Sequence, residues 1–394
     1  MTGPAPQVLL VVPREPRIVA GLPAVLRAAQ RLAAVSGGGP ALLCGASESF
    51  RRRWARELAR LPVREVEDAD LGRAVRPDAP IVIVASDGML SADGPRGLAE
   101  EAERRGQRMA WTWKGNLVCV YAPAAGDLVE RWKPGSADPL AAALDGVVRV
   151  EAPAGSWIPV ESPEELAEAE EKLYAGLSHG RDGYLSQFDR KISIALSRQL
   201  NKTRVTPNQI TAVSILIGLA GAALIASPDG AVCFVGALLA WFSSILDGCD
   251  GEIARLKLLF SDAGRKFDLF GDYLVNFSVL AAVAWHVHRT RPEAPLGSLM
   301  LLLASGVALA SLLAWWLFVR KPGRRPEGLL RIFQRLASRD FVYGIVVLAA
   351  VDRLEWFLYG AAIGAHLFWI GLGIAVLVRS RVTAVGRPGR LPVA

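Results

Sequence analysis

The chain has 394 residues, of which 52 % are hydrophobic and 21 % charged, with a mean hydropathy of +0.30 and a formal net charge of +7. It is too apolar for an ordinary soluble protein and too charged for one embedded in lipid throughout. The basic residues lie mainly between long apolar runs in the second half, so the positive charge points to a membrane surface and excludes nucleic-acid binding as the main role.

Residues 1–160 read as a cytoplasmic α/β domain. Short apolar runs at 8–12, 41–44 and 81–85 predict buried strands, and amphipathic stretches at 20–34 and 48–61 predict helices between them. That alternation implies βαβ units around a mostly parallel sheet. The run 8–12 is too short for a secretory leader. Segment 81–90, with Ser86-Asp87-Gly88 after its strand, resembles the strand-end aspartate of sugar nucleotidyltransferases. The run Ala20-Gly21-Leu22-Pro23-Ala24-Val25-Leu26-Arg27 resembles the helix start that follows their nucleotide loop. The loop itself departs from that pattern. Pro13-Arg14-Glu15-Pro16-Arg17 has no glycine and two prolines without an N–H, whereas a triphosphate cradle needs closely approaching backbone donors. The domain is therefore expected to be nucleotidyltransferase-like and inactive, with Asp87 either a metal ligand or a cap or turn residue. Cys44, Cys119, Cys233 and Cys249 show no CxxC spacing, which argues for a reducing compartment and against zinc.

Residues 161–205 form a linker. Ser162-Pro163-Glu164-Glu165 carries a helix cap, a proline at the first position and acids in the first turn, predicting a helix to about 177. In 184–201, Tyr184, Leu185, Phe188, Ile192, Leu196 and Leu200 recur at helical spacing. This pattern fits an amphipathic helix on the membrane surface or one buried against the soluble domain.

Residues 206–394 read as an all-α membrane domain of six spans, at 209–226, 231–254, 267–287, 297–319, 341–352 and 356–378. Basic residues precede span one (Lys202, Arg204), follow span two (Arg255, Lys257, Arg265, Lys266), follow span four (Arg320, Lys321 and others to Arg339) and fill the tail. The remaining loops have few. The positive-inside rule then places both termini and the loop after span two on the cytoplasmic side of the inner membrane.

That loop meets the run Asp247-Gly248-Cys249-Asp250-Gly251-Glu252-Ile253-Ala254-Arg255, then eight residues, then Gly264-Arg265-Lys266-Phe267-Asp268-Leu269-Phe270-Gly271-Asp272. Carboxylates at the edge of a membrane helix are costly and are functional suspects by default. Asp247 and Asp250 are three residues apart and Asp268 and Asp272 four, so each pair shares a helix face. Two such helices face to face converge four acids, which requires a cation between them, and an all-oxygen cage suits Mg²⁺ or Mn²⁺. Gly251, Ala254 and Gly264 let a ligand approach the backbone, and Arg255 offers a fork of donors to phosphate. Cys249, inside the run, reads as a wall residue rather than a nucleophile.

The spacing D-x-x-D-G-x-x-A-R-x8-G-x-x-x-D-x-x-x-D is similar to that of the CDP-alcohol phosphotransferases, with every fixed position filled, and Thr206-Pro207-Asn208-Gln209-Ile210-Thr211 resembles their entry to span one. The resemblance implies a divalent-metal-dependent membrane transferase that moves a phosphoryl-alcohol group from a CDP-activated donor to an acceptor hydroxyl and releases CMP. It implies Asp247, Asp250, Asp268 and Asp272 as ligands to two ions, with Asp272 also the catalytic base. It implies Asn208, Asp250, Gly251, Ala254, Arg255 and Gly264 around the CDP group, and a homodimer. With the N-terminal domain included, the chain resembles the bifunctional inositol-1-phosphate cytidylyltransferases and di-myo-inositol phosphate phosphate synthases. That resemblance points to CDP-inositol as donor and inositol phosphate as acceptor, and CDP-diacylglycerol, the donor in phospholipid synthases, stays open as the other donor. Cations for a phosphorylated acceptor are Arg339, Lys266 and Arg320, each of which also fits a positive-inside anchor. Two other classes stay open. A divalent-cation transporter also uses intramembrane carboxylates but needs polar residues continuing to the far face, where spans two and three are nearly all apolar. A dead scaffold predicts damaged motif positions, and none is damaged.

Overall fold

The computed structural model describes residues 5–13, 16–32, 39–84, 88–90, 94–114, 116–126, 130, 146–153, 156–177, 186–319 and 341–385. They fall into two compact units, one drawn from 1–177, 201–204 and 253–260, the other from 178–200, 205–252 and 261–394.

In the first unit the elements are β1 (Gln7–Val11), β2 (Ile18–Val19), β3 (Leu22–Pro23), α1 (Ala24–Leu32), β4 (Ala41–Cys44), α2 (Glu48–Arg53), α3 (Ala55–Leu58), β5 (Val63–Glu65), α4 (Leu71–Ala74), β6 (Ile81–Val84), β7 (Gly88–Leu90), α5 (Gly94–Arg105), β8 (Met109–Trp113), β9 (Asn116–Ala122), β10 (Val148–Glu151), β11 (Trp157–Pro159) and α6 (Pro163–Ala175). A seven-stranded sheet runs β10-β8-β9-β6-β1-β4-β5. The three strands expected from the apolar runs are its adjacent centre, with β1 parallel to both β4 and β6 in the register Leu9↔Leu42 and Leu9↔Ile83. Their side chains alternate between two cores. Val8, Leu10, Leu43, Val82 and Val84 join α1 and α5 residues, while Leu9, Leu42, Cys44, Ile81 and Ile83 join Val66, Leu71 and Val75. A sheet covered on both faces explains why these strands read as continuous apolar runs. β9 is antiparallel to both β6 and β8, so the sheet is mostly rather than wholly parallel.

The expected helix start at residue 20 is corrected. Residues 18–23 form a two-residue hairpin, β2 with β3, turning through Ala20 at φ 46° and Gly21 at φ 83°, and the helix begins at Ala24. The left-handed turn favours glycine over the helix there. Buried Arg27 closes the hairpin, donating from Nε to Val19 O at 2.9 Å and from Nη2 to Ala20 O at 3.0 Å. Burial lowers its pKa to about 10. The Ser162 capping box is present, with Ser162 Oγ accepting from Glu165 N at 3.1 Å and Glu165 Oε2 accepting from Ser162 N at 3.2 Å. Asp87 and the loop residues Arg14 and Glu15 lie outside the described residues.

In the second unit α7 (Ser186–Asn201) precedes α8 (Pro207–Ile225), α9 (Gly230–Leu256), α10 (Asp262–Thr290), α11 (Leu296–Val319), α12 (Phe341–Ala350) and α13 (Glu355–Val385). Among the described residues five helices are long and apolar enough to cross a membrane, and Phe341–Ala350 is a shorter apolar one. The expected span 341–352 does not reach its limit as a helix. Asp352 turns left-handed at φ 53° and is held by Arg291 Nη2 at 3.1 Å. Small residues bring α8 and α9 together, since a Cβ on Gly221 would lie 2.8 Å from Gly236 O. Around the inward core of Ala222, Ile225, Ala237, Val283, Ile345 and Leu358, side chains such as Phe270, Phe277 and Leu301 stand outward, 62 %, 69 % and 73 % exposed. Such an apolar exterior suits lipid and is unsuited to water.

Candidate active site

The acidic run is helical on both sides of its turn. α9 continues through Asp247 and Asp250 to Leu256, and α10 begins before the second half of the motif, with Ser261 Oγ capping Gly264 N at 3.0 Å. Arg265 and Lys266, expected in a loop, are therefore in the first turns of α10, and Lys266 is exposed. Ser261 at the cap and Asp262 in the first turn favour this early start.

Helical geometry then does what the spacing predicts. One carboxylate oxygen each from Asp247, Asp250 and Asp268 lie within 4.8 Å of one another. Asp247 is 9 % exposed and Asp250 6 %. Asp272, the fourth expected ligand, is not in this group. It lies one turn further along α10 and lines, with Asp247, a cleft that also takes in Ser214, Ser243, Ser244 and Asn276. Three carboxylates this close repel one another strongly where water is scarce. The donor set is all oxygen, partly buried and anionic, so it fits a hard divalent cation.

Thr211 was noticed in the sequence only as part of the span-one entry, yet its hydroxyl donates to Asp250 Oδ2 and is also 3.2 Å from Pro207 O. It orients the ligand oxygen from the neighbouring helix, as outer partners of metal ligands do. Its place one turn after Pro207 on α8 was the only signal. The α8 start itself is as expected, with Pro207 in its first turn and Gln209 Oε1 accepting from Thr206 N at 2.9 Å.

Two residues expected around CDP come together. A Cβ on Gly264 would lie 2.9 Å from Asn208 Oδ1, so glycine there is what lets α10 approach the start of α8. Gly251 is half-buried on α9 beside Asp250. Ala254 and Arg255 belong to residues 253–260, which group with the first unit. Arg320 and Arg339 lie outside the described residues. Cys249 is buried, its Sγ 3.5 Å from Ser193 O and from Ile245 O.

Sequence reasoning also passed over Glu252. It is fully buried and paired with Arg190 Nη1 at 2.8 Å. The expected amphipathic helix α7 turns Asp189, Arg190, Ser193 and Ser197 inward and leaves Phe188 57 % exposed. Ile192, Leu196 and Leu200 are half-buried, while Gln187, Lys191 and Gln199 are exposed with Phe188.

Residues 204–385 match the family model described as CDP-alcohol phosphatidyltransferase. The chain is similar to proteins named bifunctional IPC transferase and DIPP synthase from three organisms. With that of Archaeoglobus fulgidus it is 31 % identical over 237 residues, which is 57 % of this chain and 43 % of the relative. With that of Aquifex aeolicus it is 35 % identical over 133 residues, 33 % of this chain and 30 % of the relative. With that of Thermococcus kodakarensis it is 38 % identical over 133 residues, 33 % of this chain and 29 % of the relative. The chain thus spans less than half the length of each of these relatives. Taken with the converged acids on α9 and α10 and the apolar helices that carry them, the match identifies residues 204–385 as a CDP-alcohol phosphatidyltransferase domain.

Proposed function

We propose that the protein is an integral membrane transferase that moves a phosphoryl-alcohol group from a CDP-linked donor to an acceptor hydroxyl and releases CMP. The observation that carries this reading is the approach of Asp247, Asp250 and Asp268 to within 4.8 Å in a domain of this family. These three residues, with Asp272, would hold one or two Mg²⁺ or Mn²⁺ ions. A bound ion of this kind supplies neutralisation of pyrophosphate oxygens and of the leaving phosphate.

The chain's own residues do the rest. Thr211 fixes the Asp250 carboxylate. Asn208, Gly251, Ala254, Arg255 and Gly264 bind and orient the CDP group, Arg255 at its phosphates. Asp272, in the cleft beside Asp247, takes the proton of the acceptor hydroxyl as its oxygen attacks the phosphorus bearing the alcohol. The bond from that phosphorus to CMP breaks, and CMP leaves. The resemblance to di-myo-inositol phosphate phosphate synthases favours CDP-inositol as donor and inositol phosphate as acceptor, with CDP-diacylglycerol the other donor. Arg339, Lys266 and Arg320 are the cations proposed for the acceptor phosphate.

In this reading Phe341–Ala350 belongs to a fifth of six spans, both termini and the site face the cytoplasm, and the protein is a homodimer. The domains are 1–160, 161–205 and 206–394. The first is an inactive nucleotidyltransferase-like domain, because the run Pro13-Arg14-Glu15-Pro16-Arg17 after its first strand has two prolines and no glycine with which to cradle a triphosphate.

The test is a donor panel. Full-length protein in lipid vesicles, given Mn²⁺, is expected to release CMP from CDP-inositol when inositol phosphate is supplied, and to form no pyrophosphate from CTP. Release only from CDP-diacylglycerol would reassign the donor. Mn²⁺ entering the vesicles with no CMP released from either donor would replace the transferase by a cation transporter.

A further inference from the structure

Glu252 lies inside the acidic run but takes no part in its acid face. At 3.6 residues per turn it points about 200° around α9 from Asp250, away from the cage. It is fully buried. Its Oε1 accepts from Arg190 Nη1 at 2.8 Å and from Ser193 Oγ at 2.6 Å, both on α7. Gly248, one turn before Glu252, faces the same turn of α7, where a Cβ would make ordinary contact at 3.9 Å with Arg190 Nη1 and Ser193 Cβ. Asp189 ties the same turn of α7 to α9 a second time and to α12, accepting from Trp241 Nε1 at 3.1 Å and from the Tyr343 hydroxyl.

One turn of α7 is thus fastened to the turn of α9 that bears Asp247 and Asp250. We infer that Glu252 is a positioning residue that fixes the rotation of this turn and so holds Asp247 and Asp250 against Asp268. The physical reason is the pairing of opposite faces. A buried carboxylate has to keep its donors, and α9 cannot turn to move its acids out of the cage without pulling Glu252 away from Arg190 and Ser193. The inference rests on the proposed function for the reading of the acids as a metal cage.

The test is direct Mn²⁺ binding by electron paramagnetic resonance on full-length protein in lipid, with thermal unfolding measured on the same samples. Glu252→Ala is expected to fold and to weaken Mn²⁺ binding about 10–100-fold, the range seen when a support of a metal ligand is removed. Glu252→Gln, which keeps an acceptor at the Oε1 position, is expected to recover most of that loss. A folded Glu252→Ala protein that binds Mn²⁺ like wild type overturns the inference, and so does a Gln variant as weak as the Ala variant. Should Glu252→Ala not fold, Ser193→Ala takes its place, with about tenfold weaker binding supporting the inference and unchanged binding overturning it. A wild-type protein that binds no Mn²⁺ brings down the metal-cage reading itself, and this inference with it.

Discussion

The two units use buried charge in opposite ways. In the α/β unit, Arg27 is enclosed and its donors go to the carbonyls of Val19 and Ala20, so the charge closes a hairpin. In the helical unit, Asp247, Asp250 and Asp268 are gathered with an oxygen of each within 4.8 Å of the others, an arrangement of like charges that an added cation would stabilise. A charge satisfied by its own backbone supports a fold. A group of like charges held together by surrounding structure is ready for a ligand, because the fold has already met the cost of assembling it. The contrast separates an α/β unit whose buried charge serves its own fold from a helical unit whose acids are arranged for a ligand.

Substitutions sharpen this contrast. Outside the three converged acids, the largest effect is expected at Asp272. Asp272→Asn should slow CMP release by about 10²–10⁴ while Mn²⁺ binding is largely retained, as for removal of a general base. Parallel turnover and metal titrations check it, and full turnover in the variant would remove Asp272 from the mechanism. Gly264→Ala comes next. Its Cβ would meet Asn208 Oδ1 at 2.9 Å, so α10 and the start of α8 have to separate or Asn208 has to swing away. Overpacking of this kind costs about 1–3 kcal/mol, and here it should appear as a donor KM raised by roughly tenfold or more. The smallest effect on chemistry is expected in the other unit. Gly21→Ala places a Cβ at φ 83° and should destabilise the α/β unit by about 1–2 kcal/mol in an unfolding measurement, leaving CMP release per folded molecule unchanged. A fall in turnover there would mean that the two units are not functionally separate.

The acids were legible in the sequence because helical spacing translates directly into position. Asp247 and Asp250, three apart, do share a face, and Asp268 does meet them from α10. The central strands were legible for a similar reason, since strands buried on both faces have no polar alternation to confuse them with loops. What was not legible depended on partners distant in sequence. Thr211 meets Asp250 across 39 residues, and Glu252 meets Arg190 across 62. The hairpin at 18–23 was hidden because its strands are two residues each, too short to show a period, and its glycine fits a turn and a helix start equally. β10 escaped notice for want of an apolar pattern, being exposed throughout at the sheet edge. The short helix Phe341–Ala350 shows the limit of hydropathy from the other side. Apolar residues run on to Val351, and the helix ends where Asp352 turns left-handed against Arg291.

The central claim is that the acids of α9 and α10 hold a divalent ion at which a CDP donor is cleaved. It is tested most directly by measuring CMP release from CDP-inositol by the full-length protein in lipid after chelation and again after Mn²⁺ is restored, for wild type and for Asp250→Asn. The account predicts that chelation stops release, that Mn²⁺ restores it in the wild type, and that Asp250→Asn stays at least about 10³-fold slower, roughly 4 kcal/mol of lost stabilisation. Metal-independent release, or an Asp250→Asn protein as fast as wild type, would contradict it.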